Sequence, residues 1–174
     1  MIKYKLIEEI NNRIKNRYQH QLKGTIYYEH KITKIYNVKR NIELKARRVM
    51  LYHGSNLNNI KDILETGFNI NKLGTNTNNT GFYGNGFYFT NSLPCATNYS
   101  KTIKTPAYVL DCDVYLGNIY HCQEQVKNCT TINSIKNGYD SHSGKCSYCY
   151  QCMEYVVDNK EYIIVRRIIE ISPP

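Results

Sequence analysis

The chain has 174 residues, enough for one domain with its own hydrophobic core and short for two. Lys and Arg outnumber Asp and Glu by 23 to 14, and the net charge of +9 favours phosphate-bearing partners without choosing among them. No stretch approaches the ~20 apolar residues of a membrane span, which argues against a membrane protein.

The cysteines and the first residues indicate a reducing compartment. There are seven cysteines, an odd number, and the opening MIKYKL lacks the apolar run of a secretory signal peptide. We therefore expect an intracellular protein, cytoplasmic or nuclear, without disulfides. The sequence carries no sign of the oligomeric state.

The N-terminal part is predicted to be a helix followed by strands. Apolar residues recur at every fourth position, with basic side chains between them, at Leu6, Ile10, Ile14, Tyr18 and Leu22. This period indicates an amphipathic helix. The next segment predicts one or two strands, because it is rich in β-branched and aromatic residues, at Ile26, Tyr28, Ile32, Ile35, Tyr36 and Val38.

The middle of the chain alternates short strands with helices. Val49 to Tyr52 is predicted to be a strand that runs into His53. A helix follows, with Gly67 placed to end it and with one apolar face formed by Leu57, Ile60, Ile63 and Leu64. The polar stretch from Asn69 to Thr80 has no period, and it predicts a mobile loop.

Strands dominate the remainder. Phe87 to Phe89 is a short apolar run, and Pro94 suits the first turn of a helix after it. Tyr108 to Leu116 alternates in polarity and predicts a strand with one buried face. Glu154 to Val157 and Tyr162 to Val165 are further strands, the second apolar on both faces and therefore central in its sheet. The fold class predicted from this order is α+β.

Single motifs carry little weight in this chain. The Gly84-Asn85-Gly86 run lacks the third glycine and the following helix of a dinucleotide-binding fingerprint, so a Rossmann fold is rejected. The joint order of four segments is more specific, namely LYHGS at 51–55, GNGFYF at 84–89, TNYS at 97–100 and NKEYIIV at 159–165.

In this order the segments resemble the catalytic domain of the poly(ADP-ribose) polymerase family, the diphtheria-toxin-like ADP-ribosyltransferases with a His-Tyr-Glu triad. GYDS at 138–141 is also similar to the family's segment before its last strands. The resemblance treats residues 1–174 as one domain, with a core at 49–174 and a poorly matched part at 1–48. It implies two small, mostly antiparallel sheets with flanking helices, and transfer of ADP-ribose from NAD to an acceptor.

The resemblance also implies roles for single residues. His53 corresponds to the triad histidine, which hydrogen-bonds ribose hydroxyls, and the backbone of Gly54 corresponds to the group that holds the nicotinamide carboxamide. Ser55 belongs to the same NAD-binding segment. Tyr88 corresponds to the triad tyrosine, and it sandwiches the nicotinamide ring together with Tyr99.

Glu161 corresponds to the triad glutamate. A carboxylate at the ribose 2′-hydroxyl stabilises the positive charge that develops when the bond to nicotinamide breaks. Glu154 is a rival that ranks well below, because it lacks the EYII context. Ala96 is the NAD-binding position at which the family carries a serine, and the missing hydrogen bond to the carboxamide is worth ~1 kcal/mol.

We expect mono-ADP-ribosylation of protein, because little sequence precedes the core. The expected partners are NAD as co-substrate and an acceptor protein, with nucleic acid left open and no membrane. One alternative is a catalytically weak or inactive module that binds NAD, ADP-ribose or nucleic acid, which Ala96 and the net charge of +9 motivate. Poly-ADP-ribosylation and transfer to nucleic-acid ends are further alternatives.

A cluster of metal-ligand residues near the C-terminus has the pattern H-x3-C-x2-C-x2-C. It offers four potential zinc ligands, His142, Cys146, Cys149 and Cys152. The spacing is not that of a standard zinc finger. We therefore expect ordinary reduced cysteines and no metal site, with zinc as the minority alternative.

Overall fold

The computed structural model describes residues 5–8, 12–27, 29–39, 47–73, 81–100, 105–122, 135–146 and 151–174. The strands are β1 Lys5–Glu8, β2 Lys31–Lys39, β3 Val49–Ser55, β4 Phe87–Thr90, β5 Ala107–Val114, β6 Ile119–His121, β7 Ser141–Lys145, β8 Met153–Val157 and β9 Ile163–Ser172. The α-helices are α1 Asn12–Leu22, α2 Leu57–Thr66 and α3 Leu93–Tyr99. The predicted α+β class is confirmed.

The strands form one hydrogen-bonded sheet in the order β1-β2-β9-β5-β3-β4-β8-β7-β6. All of its pairs are antiparallel except β6 with β7. β3 and β4 pair through Tyr52 and Thr90 alone, so the sheet consists of two blocks with a narrow junction. The expectation of two separate sheets is not confirmed, because this junction keeps the strand order continuous.

The N-terminal segment departs from the predicted long helix. Lys5–Glu8 is a strand that pairs antiparallel with the end of β2, and the helix begins only at Asn12. The prediction of a helix from Leu6 is therefore wrong. Pairing with β2 satisfies the backbone N–H and C=O groups of this segment, and the spacing of apolar side chains carries no information about such long-range pairing. Ile10 lies outside the described residues.

The second half of that helix is as predicted, since α1 buries Tyr18 and Leu22 against the sheet. The predicted strands after Gly24 reduce to β2, which begins at Lys31. Ile26 is exposed and lies in the turn region before β2, so its inclusion in a strand is wrong. Tyr28 lies outside the described residues.

β5 lies between β3 and β9 and is buried on both faces, so the prediction of one buried face is wrong. Val109 packs with residues of α1 and α3 on one face, and Leu110 packs with Ile60 of α2 on the other. Helices on both sides of the sheet therefore remove the polar face that alternation predicts. β9 lies between β2 and β5, which confirms that the strand begun by the YIIV run is central.

A polar side chain caps the N-terminus of each of the two helices beside the site. The Asn56 side chain accepts a hydrogen bond from Asn59 N at 2.9 Å at the start of α2, and Ser92 does the same for Cys95 N at 3.4 Å in α3. Pro94 occupies the first turn of α3 as expected. Gly67 ends α2 with a φ of 83°. No helix in the described part of the chain combines the length and apolar content of a membrane span.

Candidate active site

His53 stands where β3 and β4 separate. Its neighbour Tyr52 forms the one pair that joins these strands, while His53 itself pairs with Leu110 of β5. The Nδ1 atom of His53 lies 2.8 Å from the carbonyl oxygen of Tyr88. A carbonyl only accepts, so Nδ1 donates and Nε2 of the neutral ring keeps a lone pair. Burial lowers the pKa of His53, which favours this neutral form.

The Tyr88 hydroxyl is held by the glycine-rich turn that precedes β4. It donates to the carbonyl oxygen of Gly84 and accepts from the backbone N–H of Tyr83, both at 2.8 Å. A Cβ added to Gly81 would lie 2.1 Å from this hydroxyl, so the turn wraps closely around it. Burial raises the pKa of Tyr88, which keeps its hydroxyl protonated. The turn therefore fixes the direction of the ring.

Gly54 brings β3 against α3. A Cβ added to Gly54 would lie 1.7 Å from the carbonyl oxygen of Ala96 and 2.6 Å from its carbonyl carbon. Only glycine permits so close an approach of two backbones. Ala96 is itself buried and packs with Tyr52 and Leu93. The structure thus brings together Gly54 and Ala96, which are 42 positions apart in the sequence.

Tyr99 and Glu154 form the polar centre of this region. The Tyr99 hydroxyl donates to Glu154 Oε1 at 2.8 Å, and Glu154 is only 4% exposed. Burial raises the pKa of Glu154 to about 7, while the hydrogen bond from Tyr99 acts in the opposite direction. Glu154 pairs with Thr90 across β8 and β4, so it lies diagonally from Tyr88 on the same face, roughly 7 Å away between Cβ atoms.

Glu161 is not brought to this region. Its side chain is exposed in a 3-10 turn before β9, and its carbonyl oxygen accepts a hydrogen bond from Arg48. The register aligns Ile163 with Val114 and Val114 with Val49, at the end of β3 away from His53. The four residues from Val49 to His53 alone correspond to ~13 Å along β3, and Glu161 lies in the turn before Ile163. The assignment of Glu161 to the triad therefore does not fit its position.

The carboxylate that the structure brings to this region is Glu154, which the sequence analysis ranks well below Glu161. The useful signal was its place in a strand, Met153–Val157, rather than the motif around it. A carboxylate within a strand that carries Val156 and Val157 is buried together with them, whereas a carboxylate before a strand faces solvent.

Ser55 and the following loop lie beside the site. Ser55 is buried, and its hydroxyl accepts a hydrogen bond from the Asn59 side chain at 3.1 Å, which ties the end of β3 to α2. The loop predicted from Asn69 to Thr80 contains a 3-10 turn at Ile70–Lys72. Residues 74–80 lie outside the described residues.

His142 does not join the cysteines. Its Nδ1 lies 2.7 Å from the carbonyl oxygen of Tyr83, and its Nε2 accepts from the backbone N–H of Lys136 at 2.9 Å. Both ring nitrogens are therefore engaged in hydrogen bonds, which does not support the minority alternative in which His142 binds zinc. Cys95, which the sequence analysis does not single out, has its sulfur within 4.8 Å of those of Cys146 and Cys152. Cys149 lies outside the described residues.

The expectation of a chain without disulfides is contradicted at Cys152. This cysteine is disulfide-bonded. The sequence expectation rested on compartment alone, whereas the fold places several cysteine sulfurs close together.

Comparisons with known proteins agree with the resemblance. The family model described as "Poly(ADP-ribose) polymerase catalytic domain" matches residues 7–171, which extends the match beyond the core expected at 49–174. "Protein mono-ADP-ribosyltransferase PARP4" of Mus musculus is 28% identical over 136 residues, which is 72% of this chain and 7% of that protein. The Homo sapiens protein of the same name is 30% identical over 135 residues, 71% of this chain and 8% of that protein. The chain thus spans less than a tenth of these relatives. It belongs to the poly(ADP-ribose) polymerase catalytic-domain family.

Proposed function

We propose that this chain is an NAD-dependent ADP-ribosyltransferase whose catalytic set is His53, Tyr88 and Glu154. The observation that carries the proposal is the buried hydrogen bond from Tyr99 to Glu154, on a strand paired with that of Tyr88. Membership of the family supports the reaction, and the burial of Glu154 and the register of its strand support its choice as the carboxylate. Glu154 takes the role that the sequence motif gave to Glu161.

The edge of β3 beyond Tyr52 suits a ligand. Among the described strands, β4 does not continue the ladder there, so on that side the backbone of His53 and Gly54 is not paired with β4. A backbone N–H and C=O offer the donor and acceptor that a primary amide such as nicotinamide requires. The neutral His53 ring, with Nδ1 donating to Tyr88, presents Nε2 as an acceptor for a ribose hydroxyl.

Glu154 is suited to stabilise the reacting ribose. Breaking the bond between ribose and nicotinamide builds positive charge on the sugar, and a carboxylate in a site with little water stabilises such charge strongly. Tyr99 orients this carboxylate by donating to its Oε1 atom, which points the acid toward the place proposed for the ribose 2′-hydroxyl. The tyrosine expected to stack on nicotinamide thus also positions the acid.

The test compares Glu154→Gln with its matched control Glu161→Gln. Each purified variant is incubated with NAD labelled in the adenylate part, and both nicotinamide release and labelled protein are measured. We expect Glu154→Gln to lose roughly 100-fold or more of the turnover. Glu161→Gln should stay within about twofold of the wild type, because its side chain is exposed.

Thermal melting of both variants shows whether a loss of turnover reflects the site or the fold. Glutamine keeps the oxygen that accepts from Tyr99, so Glu154→Gln should melt close to the wild type. Full turnover in Glu154→Gln together with loss in Glu161→Gln would reverse the assignment. Absence of turnover in the wild type would favour the binding module.

A module that binds NAD without turnover is the second candidate, because Ala96 lacks the hydroxyl of the family's serine. Equilibrium dialysis with labelled NAD, run beside the turnover assay, separates binding from catalysis. Ala96→Ser should strengthen nicotinamide binding by roughly fivefold, the equivalent of ~1 kcal/mol.

We propose protein as the acceptor and mono-ADP-ribose as the product, and the names of both relatives support this choice. The net charge of +9 keeps nucleic-acid ends as the competing acceptor. Offering protein, RNA and DNA side by side with labelled NAD distinguishes them. Labelled protein with adducts of single ADP-ribose units is the expected result, and ladders of longer adducts would show elongation.

A further inference from the structure

Three buried cysteines from separate parts of the chain meet beside the candidate site. Cys95 comes from α3, Cys146 follows β7, and Cys152 precedes β8. Their sulfur atoms all lie within 4.8 Å of one another, and the residues are 4%, 5% and 2% exposed. The sulfurs of Cys95 and Cys146 are 3.7 Å apart.

The geometry points to a zinc-thiolate site formed by Cys95, Cys146 and Cys152, and we propose it as a structural metal centre of the reduced chain. Zinc holds thiolates at ~2.3 Å in a tetrahedron, which separates neighbouring sulfurs by ~3.8 Å. The distance between Cys95 and Cys146 agrees with this value. A fourth ligand would complete the tetrahedron, and the assignment rests on the three described cysteines.

The disulfide of Cys152 competes with this site. A disulfide sulfur is not a thiolate, so Cys152 ligates zinc only after reduction. A phosphine reductant supplies the two electrons, becomes the phosphine oxide with the oxygen of water, and leaves two thiols. Zinc then displaces the thiol protons. A disulfide joins two sulfurs only, so it does not account for the third sulfur of the cluster, that of Cys95 in α3.

The position of the cluster gives the metal a structural role. Cys95 directly precedes Ala96, whose carbonyl oxygen lies against Gly54, and it lies one helical turn before Tyr99. Cys152 lies two residues before Glu154, and its carbonyl oxygen accepts from Cys146 N at 2.9 Å. A metal here would join α3 to the β7–β8 turn at the point where Tyr99 meets Glu154.

The test measures metal content without NAD, so it is independent of the proposed function. The chain is produced with added zinc, purified under a phosphine reductant and dialysed, and zinc is measured by elemental mass spectrometry. We expect about one zinc ion per chain. Replacement of zinc by Co²⁺ should give the sulfur-to-metal charge-transfer and d–d absorption of a tetrahedral thiolate site.

Cys95→Ser is the informative variant, and Cys112→Ser is its matched control, because Cys112 is buried in a different cluster. Cys95→Ser should retain less than about a tenth of the zinc, whereas Cys112→Ser should retain all of it. A reduced wild-type chain without zinc, or with no Co²⁺ charge-transfer band, would overturn the assignment even if Cys95→Ser failed to fold. Equal zinc content in both variants would also overturn it.

Discussion

Substitution of Gly54 by alanine tests the close contact on which the site depends. The added Cβ would lie 1.7 Å from the carbonyl oxygen of Ala96, whereas an ordinary carbon–oxygen contact is ~3.4 Å. β3 and α3 must therefore separate by more than 1 Å. The atoms in contact belong to the backbone of two elements packed in the core, so no side-chain rotation can relieve the overlap. Overpacking of this kind costs about 3 kcal/mol. At ~2–4 °C per kcal/mol for a chain of this size, the melting temperature should fall by roughly 6–12 °C.

Calorimetry and the NAD turnover assay measure the two consequences. Displacement of α3 moves Tyr99, so turnover at a temperature where Gly54→Ala is still folded should fall at least about tenfold. Gly24→Ala is the control, since Gly24 has a φ of 72° with no atom within 4 Å of an added Cβ. That control should lose only ~1 kcal/mol through backbone strain and should keep its turnover. The reasoning is refuted if Gly54→Ala melts within about 2 °C of the wild type and turns over NAD normally.

Two further predictions concern the core and the histidine. Tyr18→Phe removes the hydroxyl that donates to the buried Asp111 carboxylate at 2.5 Å, leaving Arg167 as its partner, so urea unfolding should show a loss of about 2 kcal/mol. The control Tyr27→Phe removes an exposed hydrogen bond and should cost less, and equal losses would contradict the argument. Burial lowers the pKa of His53, so below pH ~6.5 the unfolded chain takes up a proton that the folded chain does not. The free energy of unfolding should therefore decrease as the pH is lowered below ~6.5, by at most about 1.4 kcal/mol per pH unit, until the pH reaches the lower pKa of the folded chain. Urea titrations at several pH values should show a shallower fall for His53→Gln, and an unchanged slope would contradict this origin.

Local patterns in the sequence predicted the elements that local forces decide. The capped helix that starts at Leu57, the short strand at Phe87–Thr90 and the apolar strand at the C-terminus all appear where the sequence placed them. Each has a signal within a few residues, such as a cap, a period or a β-branched run. The prediction for Lys5–Glu8 was wrong because the strand that pairs with this segment lies about 30 residues later in the chain.

The order of the four motifs was enough to identify the family and to select His53, Gly54, Tyr88 and Tyr99 as candidates. Motif context ranked Glu161 above Glu154, whereas burial and strand register, which depend on residues of β4 and α3, favour Glu154. The meeting of the cysteines also depends on the packed chain. Cys95 lies 51 residues before Cys146, so no local spacing connects them.

The sequence by itself determined the family, the helices and strands with local signals, and the residue types available for NAD chemistry. The tertiary structure decided which carboxylate meets Tyr99 and which cysteine sulfurs meet one another. Such contacts depend on distances of a few ångströms between segments that are distant in the sequence. Those distances follow from strand pairing and from the approach of α3 to Gly54, and both are properties of the packed chain.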